Sequence, residues 1–144
     1  MSRSERATSV ALGYVLTLSI TTILVSGLFI TAGSVVDDQR QQATTGELTV
    51  HGERLAADLA TVDRLARTGS TVELERELPA AVAGATYRIE IDGERLVLRG
   101  ERADDPVTVS FVAERDVEIA GSGSLGGGPV VIAFEDGTIE VRNG

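Results

Sequence analysis

The chain of 144 residues has no cysteine, no lysine and no tryptophan, a single histidine and only five aromatic side chains. Without cysteine there is no disulfide staple and no thiolate chemistry, so a reducing interior and an oxidising exterior suit it equally. His51 is the only histidine, and with no second His or Cys it cannot complete a transition-metal site. It is also the only base available to a Ser-His-acid arrangement, and no Gly-x-Ser-x-Gly turn presents a serine to it. It reads as a polar residue flanking an apolar stripe. Beyond residue 36 the aromatics are Tyr87, Phe111 and Phe134. All three fall on apparent core faces, which leaves little for stacking sugar rings.

The missing lysine means that all 13 basic residues are arginine. From Asp37 onward, 21 acidic residues face 11 basic ones, a formal charge of −10. A GC-rich genome explains arginine in place of lysine but not the excess of acid. An acidic, lysine-free surface suits a protein that stays soluble in concentrated salt, which is a statement about solubility and not about fold. The same charge argues against nucleic acid, whose phosphates would repel this domain.

Charge is itself absent from Ala7 to Val36, thirty consecutive residues. As a helix this stretch is about 45 Å long, against a hydrocarbon core of about 30 Å. It exceeds the usual h-region of a cleaved secretory signal, about 15 residues at most, although Ala32-Gly33-Ser34 offers small residues at a cleavage site. A soluble core helix without charge on any face would need more surrounding protein than this chain supplies. A membrane span is the expectation that remains. The apolar residues from Val10 to Ile30 cover every side of the helix, and interspersed Ser and Thr hydroxyls can bond back to helical carbonyls. Gly13 and Gly27 are candidate helix-packing positions, where small residues permit close approach in a bilayer. Arg3 and Arg6 precede the span and Asp37 and Asp38 follow it, so the positive-inside rule puts the N-terminus in the cytoplasm and the remainder outside.

The opening run Arg6-Ala7-Thr8-Ser9-Val10-Ala11-Leu12-Gly13-Tyr14-Val15-Leu16 resembles the start of haloarchaeal type IV pilin-like small single-pass membrane proteins. In that family a prepilin peptidase cuts just before the hydrophobic stretch and leaves the helix on the mature protein. The resemblance implies processing at Arg6, Ala7 and Thr8, with Ala7 the last leader residue and Thr8 the first mature one. Many type IV pilins carry Glu at the fifth mature position; here it is Leu12.

After the span, Asp37 to Ala43 is polar, and Gly46 allows a bend or break. Leu48, Leu55 and Val62 then recur at seven, with Gly52, Leu59 and Ala66 four residues after each. Charged residues, Asp58 and Asp63 among them, are expected on the other faces, which gives an amphipathic helix from about Glu47 to Thr68. It either pairs with another chain as a short coiled coil or, the favoured reading, packs on its own sheet. Period-two runs follow at Val72–Leu74, Tyr87–Ile91, Leu96–Leu98, Val107–Phe111, Val117–Ile119, Val130–Phe134 and Ile139–Val141, with Asp92-Gly93 and Asp136-Gly137 as turns. The glycine-rich run Gly121 to Pro129 lacks the Lys-Ser/Thr ending of a phosphate loop and reads as a flexible hairpin connection. Carboxylates at Glu101, Asp104, Asp105, Glu114, Asp116 and Glu118 lack EF-hand spacing and read as solvated surface.

The expected fold is α+β: a long N-terminal helix, transmembrane and then amphipathic, followed by a small antiparallel β-meander domain. A closed β-sandwich is the competing architecture. The expected divisions are 1–7 as cytoplasmic N-terminus and leader, 8–36 as transmembrane helix, 37–69 as connector and amphipathic helix, and 70–144 as the extracellular β domain. No catalytic, cofactor-binding or metal-binding residue is expected. The lipid bilayer and pilin-like or other membrane proteins are the expected partners. The expected role is a non-enzymatic subunit of a cell-surface or secretion-type assembly in a halophile, held in the cell membrane. The alternative is a membrane-tethered extracytoplasmic module that binds or senses a ligand.

Overall fold

The computed structural model describes residues 3–69, 71–121 and 123–144. Met1 and Ser2 of the expected leader, Ser70 at the expected domain boundary and Ser122 of the glycine-rich run lie outside the described residues. A long helix, α1 (Arg3–Ala66), precedes eight strands: β1 (Val72–Leu78), β2 (Tyr87–Asp92), β3 (Arg95–Gly100), β4 (Val107–Ser110), β5 (Val117–Ile119), β6 (Ser124–Leu125), β7 (Gly128–Glu135) and β8 (Thr138–Asn143). The chain divides into two compact units, Met1–Gln39 and Arg40–Gly144.

In the first unit the large apolar side chains from Val10 to Val36 are 45–76% exposed, with no side of the helix covered. The hydroxyls of Thr8, Thr17, Ser19, Thr21, Thr22, Ser26 and Thr31 each donate to the carbonyl four residues earlier at 2.8–3.0 Å. Ser34 bonds back three residues, to the Thr31 carbonyl. These eight hydroxyls, which a lipid environment would penalise if unpaired, therefore have partners inside the helix.

In the second unit the same helix is one-sided. Leu48, Leu55, Leu59 and Val62 are buried, with Thr44, Gly52 and Ala66 completing the stripe. This face belongs to one hydrophobic core with residues of both sheets, among them Leu78, Ile89, Leu98, Ile132 and Val141. The favoured intramolecular packing is what the structure has. Gly46 does not break the helix. Its cost there is only about 1 kcal/mol, and the burial of Thr44 and Leu48 on either side holds the turn in register.

The strands form two sheets and not one meander. One has the order β1-β7-β8-β5 and the other β4-β3-β2-β6. The meander reading holds for β2-β3-β4, but β5 pairs parallel to β8 (Val117 opposite Ile139, Ile119 opposite Val141). The two Asp-Gly pairs make different turns. Asp136 and Gly137 are both central, at φ 50° and 90°, the pattern of a type I′ turn. Asp92 is still in its strand, opposite Arg95, and Gly93 at φ 60° opens a type II′ pattern. The glycine-rich run is no free connection either. Its Ser124 and Leu125 pair with Glu90 and Ile89 of β2, and Leu125 is buried. Gly127 lies against the Pro79 carbonyl, where no side chain would fit.

Gly52 and Gly46 form a natural pair of probes. A Cβ at Gly46 meets nothing within 4 Å, whereas one at Gly52 would sit 2.8 Å from Val109 Cγ2 and 2.9 Å from Leu98 Cδ1. Gly46→Ala is expected to stabilise the chain by about 1 kcal/mol through helix propensity alone. Gly52→Ala has the same gain but overpacks a buried contact, with an expected net loss of about 1–2 kcal/mol. Thermal unfolding of the detergent-solubilised chain checks this, and a stabilised Gly52→Ala would contradict the packing described.

Candidate functional site

The resemblance directs attention first to Arg6, Ala7 and Thr8, which lie exposed in the first turns of α1. The Thr8 hydroxyl donates to the Ser4 carbonyl at 2.9 Å. Gly13 and Gly27, fourteen residues apart, fall about 40° apart around the helix at 100° per residue. Nothing lies within 4 Å of a Cβ placed on either, so within this chain both are open. His51 is half-buried at the edge of the core stripe. Among the described residues no group of three His, Cys, Asp or Glu is placed to hold a metal ion. Of the expected surface carboxylates, Asp104 accepts from Gln41 Nε2 at 2.6 Å and Glu114 pairs with Arg67 at 2.9 Å.

Two carboxylates do not lie where the sequence reading put them. Asp58 and Asp63 are 8% and 3% exposed, on the margin of the buried stripe and not on an outer face. Their spacing carries the signal: Asp58 is three residues after Leu55 and four before Val62, and Asp63 is four after Leu59 and three before Ala66. Asp58 accepts a bidentate pair from Arg76 of β1, Nε and Nη2 both at 2.6 Å. The carboxylate holds the Arg76 guanidinium above its ordinary pKa, through the hydrogen bonds first and the opposite charge second. Asp63 accepts from Arg115 Nη1 at 3.2 Å, and that nitrogen also donates to the Asp63 carbonyl at 3.0 Å. Arg115 lies over the Phe134 ring, 5.0 Å from its centre.

These contacts also finish the helix. Arg115 takes the Asp63 carbonyl, the Arg67 N–H donates to the Arg64 carbonyl, and Thr68 and Gly69 donate to the Leu65 carbonyl. Orphan acceptors at the negative end of the helix are thereby satisfied, with a cation beside them. These ion pairs and caps fasten α1 to the sheets.

A groove of about 570 Å³ opens between the β2–β3 turn and the segment Phe111–Ile119. Ile91, Phe111, Val117 and Ile119 form its apolar wall, and Glu94, Glu114, Asp116 and Glu118 surround them. Arg115 lines it too, but is engaged with Asp63. Tyr87 is buried elsewhere, its hydroxyl donating to the Pro79 carbonyl at 2.8 Å, and burial raises its pKa. These groups do not assemble a nucleophile, a base and an oxyanion site around one point.

The chain matches the Family of unknown function (DUF7266) over residues 3–143. It therefore belongs to that family. No curated protein and no solved structure matches it.

The pair Asp58–Arg76 is asymmetric, because the Arg76 side chain is 43% exposed and the Asp58 side chain only 12%. Arg76→Ala strands a buried carboxylate and is expected to cost about 2–4 kcal/mol. Asp58→Ala leaves an arginine that can turn to water, at about 1 kcal/mol. Equal losses in denaturant unfolding would refute the asymmetry. For Tyr87 the folded state binds the phenolic proton more tightly than the unfolded state. Its contribution is full below the unfolded value of about 10 and is lost as pH rises above it. The melting-temperature advantage of wild type over Tyr87→Phe is expected to narrow above about pH 10. A gap that stays constant would mean Tyr87 does not titrate with folding.

Proposed function

We propose that this family member is a pilin-like, membrane-anchored subunit of a cell-surface or secretion-type assembly in a halophile, and not an enzyme. In this reading α1 crosses the bilayer once between residues 8 and 36, with the N-terminus in the cytoplasm and the unit Arg40–Gly144 outside the cell. The observation that carries it is the uncharged stretch Ala7–Val36: helical, apolar on every side, exposed throughout, and with the hydroxyls of Thr17, Ser19, Thr21, Thr22, Ser26 and Thr31 already bonded within the helix. An 18-residue window within α1 reaches a mean hydropathy of 2.0 with none of it buried. The Arg-Ala-Thr-Ser opening supports processing before Thr8, and open Gly13 and Gly27 support packing against a neighbouring helix. The acidic, lysine-free exterior supports a salty surrounding.

A tethered module that captures a ligand outside the cell is the second reading, favoured by the 570 Å³ groove and its acidic rim. Such a rim suits a small cation with an apolar part.

Intact mass and N-terminal sequencing of the chain recovered from native membranes test the first reading. A mature start at Thr8 with the helix retained is the expected result. A chain starting near Ser34, or one found wholly in the soluble fraction, would overturn membrane anchoring. An uncut chain in the membrane would remove the prepilin pathway and leave the tethered module.

A further inference from the structure

From Val107 to Ala113 the chain reads Val-Thr-Val-Ser-Phe-Val-Ala, seven residues without charge, proline or glycine. Five of them are β-branched or aromatic. This is the composition of a segment that pairs with other strands, and it lies in a chain of net charge −9. Asp104, Asp105 and Pro106 precede it, and Glu114, Arg115 and Asp116 follow.

The topology leaves this segment on an edge. β4 ends its sheet, paired with β3 on one side only. Val109 faces Leu96 in that ladder, and the Phe111 N–H donates to the Glu94 carbonyl at 2.9 Å. Antiparallel alternation then turns the N–H and C=O groups of Thr108 and Ser110 away from β3, toward the open edge. Thr108 and Ser110 are exposed, and Val112 is 77% exposed, more than any other large apolar side chain outside the first unit. The remaining sheet ends are blunted by means the fold commonly uses. β1 carries Glu73, Glu75, Arg76 and Glu77, β5 is three residues long with Glu118 at its centre, and β6 has two residues.

We propose that the β4 edge is a self-pairing surface, on which a second copy of this chain adds its own β4 antiparallel about a two-fold axis at Ser110. A row of unsatisfied main-chain groups calls for a strand, and charge selects which one. Two chains of −9 repel wherever carboxylates meet, and the neutral stretch is a place where two copies can align without opposing like charges. Its centre is Ser110, whose main-chain groups point outward, so the register that pairs all seven residues also satisfies the hydrogen-bond alternation. Thr108 then faces the partner's Val112. A groove of about 420 Å³ beside Val112 has Ala57, Ala60 and Thr61 on one side and charged residues, Asp63, Arg64, Arg67 and Glu114, on the other, with Arg67 and Glu114 paired to each other. The self-pairing contact belongs to the unit Arg40–Gly144 and stands apart from the membrane reading.

The absence of cysteine makes a direct test possible. Ser110→Cys in the full chain, in detergent at about 1 M salt where charge is screened within about 3 Å, is expected to form a disulfide dimer of twice the chain mass under mild oxidation. Glu75→Cys on the β1 edge serves as the control and is expected to stay monomeric. Adding Thr108→Pro to Ser110→Cys removes two outward N–H donors per dimer without touching the β3 ladder. Cross-linking is then expected to fall about 25-fold at unchanged thermal stability, with each bond worth about fivefold. A folded Ser110→Cys that remains monomeric, equal cross-linking at position 75, an adduct of any other mass in native membranes, or insensitivity to Thr108→Pro would each overturn the proposal.

Discussion

The burial of one helical face, Leu48 to Ala66, against two sheets at once is the contact on which the second unit depends. The helix supplies side chains to the single core that both sheets share. Burying such aliphatic side chains contributes about 1.5–3 kcal/mol each, far more than the ion pairs at the margin of the stripe. The pairs Asp58–Arg76 and Asp63–Arg115 contribute position instead. They fix the rotation and the end of the helix, and they penalise any packing that would leave either carboxylate alone.

One helix thus carries two surface patterns that answer to different surroundings. Before Asp37 it has no preferred side, and eight of its Ser and Thr hydroxyls are turned inward on the backbone. After Arg40 the pattern collapses to a buried stripe of about one residue in three or four, and small, polar and charged residues share the rest. The change occurs without a break in the hydrogen-bond ladder, since even Gly46 is held by its neighbours. Helix continuity and surface chemistry are set by separate properties of the sequence: propensity and backbone bonding for one, side-chain pattern for the other.

Much of this was legible in the residues. The period-seven recurrence of Leu48, Leu55 and Val62 located the buried face, and alternation located most strands. What eluded it has particular causes. Asp58 and Asp63 were assigned outward by charge, although their spacing from Leu55, Leu59, Val62 and Ala66 puts them beside the stripe; the arginines that make burial tolerable are 18 and 52 residues away. The parallel partnership of β5 with β8 leaves no local mark, because a parallel ladder needs no shared turn. Leu125 is one apolar residue among glycines, too short a signal for alternation to register. Of the site positions, Arg6, Ala7, Thr8, Gly13 and Gly27 are open in the structure, so whatever role they have lies outside this single chain.

The parallel ladder has a consequence for the order in which the domain is made. β1 waits for β7, more than fifty residues downstream, and β5 waits for β8, so the sheet β1-β7-β8-β5 has none of its order until residues 128–143 have been synthesised. Non-local pairing of this kind is slow to form. The helix, by contrast, has only local hydrogen bonds to make and precedes every strand in the chain. Its long apolar segment is therefore synthesised and able to become helical while the strands that will form the sheets are still unpaired.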